Sequence, residues 1–209
     1  MSYRHTEELH AAFRKKRAAI RRRLREYRAV PVSGYFYELV YCLMTPQSSA
    51  VNAAKAQQRF EEADLLHREI DPEPFLFTRE YYIRFHRTKA RHITEMKRNY
   101  ALIEAVTIGP MTAEEKREWF VRNVKGLSYK EATHFLRNIG RNDGLAILDR
   151  HILKNLRRYG VIRSIPATLT KKRYLSIERK FRRFAEEAGI TVDELDLLFW
   201  SAEAGEILK

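Results

Sequence analysis

One cysteine, Cys42, stands in a chain of 209 residues. A single thiol excludes an internal disulfide, a four-cysteine iron–sulfur cluster and a cysteine zinc site. Glycine and proline are scarce, at 8 and 6 residues, too few for a sandwich or barrel, which needs turn residues at short intervals. No apolar run approaches the ~18 residues of a membrane span. No basic-apolar-small leader opens the sequence, so a secreted protein is not expected. The 7 histidines show no metal-ligand spacing, and neither a metal nor a cofactor is expected. The sequence leaves open whether an ion binds at a turn. What the chain does contain is 44% hydrophobic and 32% charged residues, the balance of a globular protein rather than a disordered tail. Lys and Arg number 40 against 27 for Asp and Glu, a formal charge of +13. Such an excess favours a polyanionic partner, although adaptation to heat or salt produces the same balance.

The pattern reads as helix after helix, with no convincing strand and no internal repeat. Over Thr6 to Arg28, Leu9, Phe13, Ile20, Leu24 and Tyr27 recur on one helical face. The rest of that helix is dense in Arg and Lys, which reads either as a solvated face or as a phosphate-contacting one. Pro31 to Gly34 breaks the pattern, and Tyr35 to Met44 is apolar nearly all round, as in a buried helix. Thr45 to Ser49 interrupts, and Ala50 to Phe60 resumes as helix. Asp71-Pro72-Glu73-Pro74 reads as a turn and Arg84 to Tyr100 as one basic helix. Thr112 with Glu115 makes a capping box for a helix ending near Asn123, and Ser128 with Glu131 makes a second for a helix over Tyr129 to Ile139. Gly140, Gly160 and Gly189 supply left-handed stops. Asp149 can cap a helix over Arg150 to Tyr159, another covers Lys171 to Ala188, and Thr191 with Glu194 caps a last one through Trp200.

The chemistry concentrates between Lys125 and Tyr159. Two helices joined by Lys125-Gly126-Leu127-Ser128 form a helix-hairpin-helix candidate. A tight Gly-containing turn lets backbone N–H groups approach a phosphate, and the following helix adds its positive N-terminus. Such a turn is also ordinary punctuation between helices. Lys130 falls in the first turn of the second helix, where a cation is disfavoured, so the neutral, nucleophilic amine is favoured. An exposed lysine on a tolerant helix is the bland alternative. Asp149, 19 residues on, follows the apolar Leu145-Ala146-Ile147-Leu148. It can be an N-cap only, or a cap that also faces a cleft. An amine and a fixed carboxylate facing one cavity can displace a base from C1′ of a nucleotide, the carboxylate stabilising the charge that develops on the sugar.

The stretch Val124-Lys125-Gly126-Leu127-Ser128-Tyr129-Lys130-Glu131-Ala132-Thr133-His134-Phe135-Leu136-Arg137-Asn138-Ile139-Gly140, followed by Ala146-Ile147-Leu148-Asp149-Arg150-His151-Ile152-Leu153, closely resembles the type-2, archaeal-type 8-oxoguanine DNA glycosylase/AP lyases. These belong to the helix-hairpin-helix glycosylase superfamily. The resemblance extends to Tyr41 to Gln47, to Arg84-Phe85-His86 with Lys89-Ala90-Arg91, to Lys171 to Tyr174, and to Leu195 to Trp200 with Lys209. It is weakest from Glu61 to Glu80. It implies an all-α, two-lobed fold with the active site in the cleft between lobes. Residues 31–148 would carry the hairpin (113–140), and 1–30 with 149–209 would form the other lobe. It further implies that Lys130 is a Schiff-base lysine and Asp149 the catalytic aspartate. Phe85 and Trp200 would sandwich the flipped base, Lys209 would recognise the lesion, and Gln47 would enter the gap left by that base. Many superfamily members carry Gly where this chain has Ser128.

Two function classes follow. One is a bifunctional glycosylase/AP lyase that excises 8-oxoguanine from duplex DNA and cleaves the abasic strand. The other is a non-catalytic helical DNA-binding module, which has no use for the pair Lys130 and Asp149. The expected partner is double-stranded DNA containing oxidised guanine, met by a monomer in the cytoplasm, at the nucleoid in a prokaryote, with no membrane involved.

Overall fold

The computed structural model describes residues 3–204. Lys209 lies outside the described residues. Those residues form α1 (Thr6–Arg28), a 3-10 turn at Val32–Gly34, α2 (Tyr35–Met44), α3 (Ala50–Glu62), α4 (Glu73–Leu76), α5 (His86–Arg98), α6 (Tyr100–Ile108), α7 (Ala113–Asn123), α8 (Tyr129–Asn138), α9 (Arg150–Arg158), α10 (Lys171–Ala188) and α11 (Val192–Ala204). The sole β pairing among them is an isolated bridge between Phe77 and Tyr82. The chain divides into two compact units: Val30–Ile139, and the described residues before Val30 and after Ile139.

In the first unit α2 is the central element. Every residue of it except Tyr37 is buried, which is why its sequence shows no polar face. Its one acid, Glu38, is buried and accepts from Gln57 Nε2 at 3.4 Å and Asn138 Nδ2 at 3.0 Å. Those bonds tie α3 and α8 to α2 and satisfy a carboxylate that would be costly alone. Helices α7 and α8 pack as a hairpin through Phe120 against Phe135, ring centroids 5.3 Å apart. Arg117, 1% exposed, donates to Thr133 Oγ1 at 3.4 Å and lies 5.2 Å from the Tyr129 ring centroid.

The second unit is assembled from both ends of the chain. Leu9, Phe13 and Ile20 of α1 are buried. Lys16 Nζ donates to the Ser201 carbonyl at 2.9 Å, and Arg21 pairs with Glu194 at 2.8 Å. Tyr159 stacks on Phe184 and Phe199. The segment from Gly140 to Leu148, which the family resemblance assigned to the hairpin-bearing lobe, clusters with this unit. Its backbone explains why: Ala146 N–H donates to Glu178 at 2.8 Å and Leu148 N–H to the Tyr174 hydroxyl at 3.2 Å, both on α10.

Two other local readings are corrected. Arg84 to Tyr100 is not one helix: Phe85 is left-handed and Asn99 leaves helical geometry (φ −103°, ψ 10°), so α5 and α6 are separate. Asp71 to Pro74 opens a single helical turn, α4, with Pro72 at its N-cap.

Candidate active site

In the first unit the site is built around the α7–α8 turn. Gly126 adopts φ +91°, a conformation open to glycine. A Cβ there would sit 2.6 Å from His92 Nδ1 and 3.1 Å from Leu43 Cδ2. The turn is thus held close to α5 and α2, and only glycine satisfies both demands. Leu127 is buried under the turn, and Lys125 is an exposed residue paired with Glu95 at 2.9 Å.

Ser128 and Glu131 form the expected capping box. Glu131 does more than its sequence position announces. Its Oε2 accepts from the Ser128 amide at 3.2 Å, while its Oε1 lies 3.1 Å from Lys130 Nζ. Burial alone would raise the Glu131 carboxyl, but the Lys130 charge and the Ser128 hydroxyl hold it below the usual range. Lys130 therefore stands at the second position of α8, partly exposed, with its amine gripped by a neighbouring carboxylate. That ion pair offsets the unfavourable meeting of a cation with a helix N-terminus. His134, four residues on, is buried edge-on to Tyr41.

Phe85 and Gln47 belong to the same unit and share an unusual feature. Both are exposed, and both are non-glycine residues with positive φ, +59° and +56°. Left-handed backbone in a bulky residue costs ~1–3 kcal/mol and collects at functional positions. Phe85 is not a core aromatic: half its surface is open, and the Arg84 guanidinium sits 4.9 Å from its centroid.

In the second unit Asp149 caps α9, its Oδ1 accepting from the Ile152 amide at 2.8 Å. Leu145 to Leu148 before it are all buried. The cap occupies one carboxylate oxygen. Trp200, partly buried, lies against His151 with centroids 4.7 Å apart. His151 is in the first turn of α9, so the Trp200 ring and the Asp149 carboxylate belong to one neighbourhood.

The sequence reading missed three participants. They are Glu131 as the partner of Lys130, His151 beside Trp200, and the buried Lys89 described below. The capping motif and the basic character of α5 were legible. Which residue a side chain reaches was not.

Comparison with known proteins identifies the family of the chain. The sequence model of the 8-oxoguanine DNA glycosylase family matches residues 20–190. The chain belongs to that family. It is 39% identical to an 8-oxoguanine DNA glycosylase/AP lyase of Fusobacterium nucleatum, covering 97% of this chain and 96% of the relative. Among solved structures, the 8-oxoguanine DNA glycosylase of Thermotoga maritima superposes with a TM-score of 0.85 at 31% identity over 98% of both chains. The Methanocaldococcus jannaschii 8-oxoguanine glycosylase/lyase, solved with a 15mer DNA containing 8-oxoguanine, superposes with a TM-score of 0.84 at 31% identity, over 97% of this chain and all of the other. The all-α helix-hairpin-helix glycosylase fold is the fold of this chain.

Among the described residues no group of three or more His, Cys, Asp or Glu side chains could hold a metal ion. No described helix is long and apolar enough to cross a membrane.

Proposed function

We propose that this member of the 8-oxoguanine DNA glycosylase family excises 8-oxoguanine from duplex DNA and then cleaves the abasic strand. Lys130 is its nucleophile and Asp149 its electrostatic stabiliser. The observation that carries the reading is Lys130 itself. It is an amine in the first turn of the helix after a phosphate-binding type of turn, with Glu131 Oε1 3.1 Å away to fix its direction.

In this mechanism the Lys130 ammonium first passes a proton to the paired Glu131 carboxylate, and the freed nitrogen lone pair forms a bond to C1′ as the bond from C1′ to the base breaks. The base leaves with the electron pair and takes up a proton, in balance with the one that Lys130 released. Asp149 faces the positive charge on the sugar as it develops, the stage at which a fixed carboxylate contributes most. The C1′ adduct opens to a protonated imine. Loss of a C2′ proton then expels the 3′ phosphate and breaks the strand. Phe85 and Trp200 offer aromatic faces to the extruded base, Gln47 fills the vacated stack, and the 125–128 turn holds the backbone phosphate. Lys209 reads the lesion at the end of the chain. The enzyme acts as a monomer in the cytoplasm, at the nucleoid in a prokaryote.

The test is a duplex carrying one 8-oxoguanine. Release of free 8-oxoguanine together with strand scission by the wild-type chain, and loss of both in Lys130→Gln, supports the reading. Tight binding to the same duplex without release would leave the non-catalytic DNA-binding alternative.

A further inference from the structure

A second lysine in the first unit is almost wholly enclosed. Lys89 of α5 is 6% exposed, rare for an ammonium unless its charge is met. Its three N–H donors find three oxygens: the Met44 carbonyl at 2.6 Å, the Pro46 carbonyl at 2.7 Å and Ser48 Oγ at 3.1 Å. All three lie within the short segment that ends α2 and precedes α3. Ser48 Oγ also accepts from the Arg84 amide at 2.9 Å, next to Phe85. The segment is closed by Ser48 N–H donating to the Thr45 carbonyl at 3.1 Å. Enclosed by these bonds is Gln47, exposed and at φ +56°. An unassisted glutamine would relax out of that conformation. A buried ammonium with every donor used holds the chain on both sides of Gln47, at Met44, Pro46 and Ser48.

We propose that Lys89 is a positioning residue for lesion extrusion, its ammonium fixing the 44–48 segment so that Gln47 is already set to enter the duplex. The inference rests on the proposed function, in which Gln47 occupies the space left by the extruded base. The geometry gives the reason for a lysine at this place. Neutral side chains of similar length lack three donors, and loss of one acceptor leaves a buried polar group unpaired. Burial pulls the Lys89 ammonium down to about 8, with the Glu131 carboxylate opposing and the Lys130 charge adding to the shift. Lys89 also feels the nucleophile's charge, so an alternative role through Lys130 has to be separated from a role through Gln47.

The full chain separates them with four variants: Lys89→Met, Gln47→Ala, the two combined, and Ser48→Ala. Three readouts are taken. They are single-turnover excision from 8-oxoguanine duplex, the fluorescence rise of a 2-aminopurine placed beside the lesion, and borohydride trapping on a single-stranded abasic oligonucleotide, which has no stack to fill. Lys89→Met is expected to slow excision about ten- to a hundred-fold and to remove the fluorescence rise, as Gln47→Ala does. The double variant should be no slower than Gln47→Ala, and trapping on the single strand by Lys89→Met should be unchanged. Ser48→Ala should show the same pattern more weakly, and it carries the test if Lys89→Met does not fold. Losses that multiply in the double variant, trapping lost along with excision, or full-rate excision by Lys89→Met would each overturn the inference. A wild-type chain that releases no 8-oxoguanine would instead overturn the functional reading beneath it.

Discussion

Lys130 and Asp149 each stand at a helix N-terminus, and their charges meet that field in opposite senses. Asp149 is favoured there and is put to use as a cap on the Ile152 amide. Lys130 is disfavoured and is held by Glu131, whose other oxygen closes the capping box of the same helix. One acid thus fixes both the start of α8 and the direction of the amine. Asp149→Asn keeps the capping geometry and removes the charge. Excision should fall by orders of magnitude, about 2.7–4 kcal/mol in barrier, while the thermal midpoint moves little. Single-turnover kinetics beside a melting curve check this, and normal excision would leave Asp149 a cap only. The positions of Lys130 and Asp149 at helix starts were legible in the sequence because capping motifs are local. The grip of Glu131 on Lys130 was not, because either an exposed or a paired lysine satisfies the same pattern. The backbone of Phe85 resisted prediction for a different reason: a left-handed phenylalanine contradicts local preference, so only the folded chain reveals that conformation.

Among the helices, those flanked by strong signals were readable from sequence to within a residue or so. Thr112 with Glu115, Ser128 with Glu131 and Gly189 after α10 each mark a boundary that the structure keeps. The break between α5 and α6 carries no such signal. Asn99 turns its side chain back to the Glu95 carbonyl at 2.9 Å, and nothing in the pattern announces it. The α7–α8 turn makes its own prediction. Gly126→Ala meets both a positive φ and the His92 ring, and should cost about 1–3 kcal/mol with weakened affinity for duplex DNA. Thermal unfolding and a binding titration measure the two effects, and an unaltered variant would contradict the close approach of α5. The Lys89 ammonium predicts a pH effect. Its folded value of about 8 lies below the ordinary 10.5, so between these values the unfolded chain binds more protons. Stability therefore rises with pH across that window. Tyr37, Tyr81 and Tyr159, whose hydroxyls are pushed up by desolvation, oppose this near the top of the range. Comparison with Lys89→Met cancels them. The stability of wild type relative to the variant should climb from pH 8 to pH 10, and a flat difference would contradict the buried charge.

At the scale of the molecule, charge and connectivity dominate. The net +13 is not spread evenly among free cations. In α1, Lys16 is bonded to Ser201, Arg21 to Glu194 and Arg23 to Glu26. Arg14, Lys15 and Arg17 on the same helix are exposed, as are Arg25 and Arg28 nearer its end, and the first three form one cluster open to phosphate. Replacing these three by Gln should flatten the dependence of log affinity on log salt by about 0.9 for each phosphate no longer neutralised. An unchanged slope would return α1 to a solvated face. The use of both chain ends in one unit has no counterpart in the hydrophobic pattern, because long-range pairing leaves no local trace. The central claim is that Lys130 is the nucleophile, and covalent trapping tests it most directly. Borohydride added during reaction with 8-oxoguanine duplex should yield a protein–DNA adduct whose linked peptide maps to Lys130, and Lys130→Gln should give none. An adduct of undiminished yield in that variant, or one mapped to another lysine, would contradict the account.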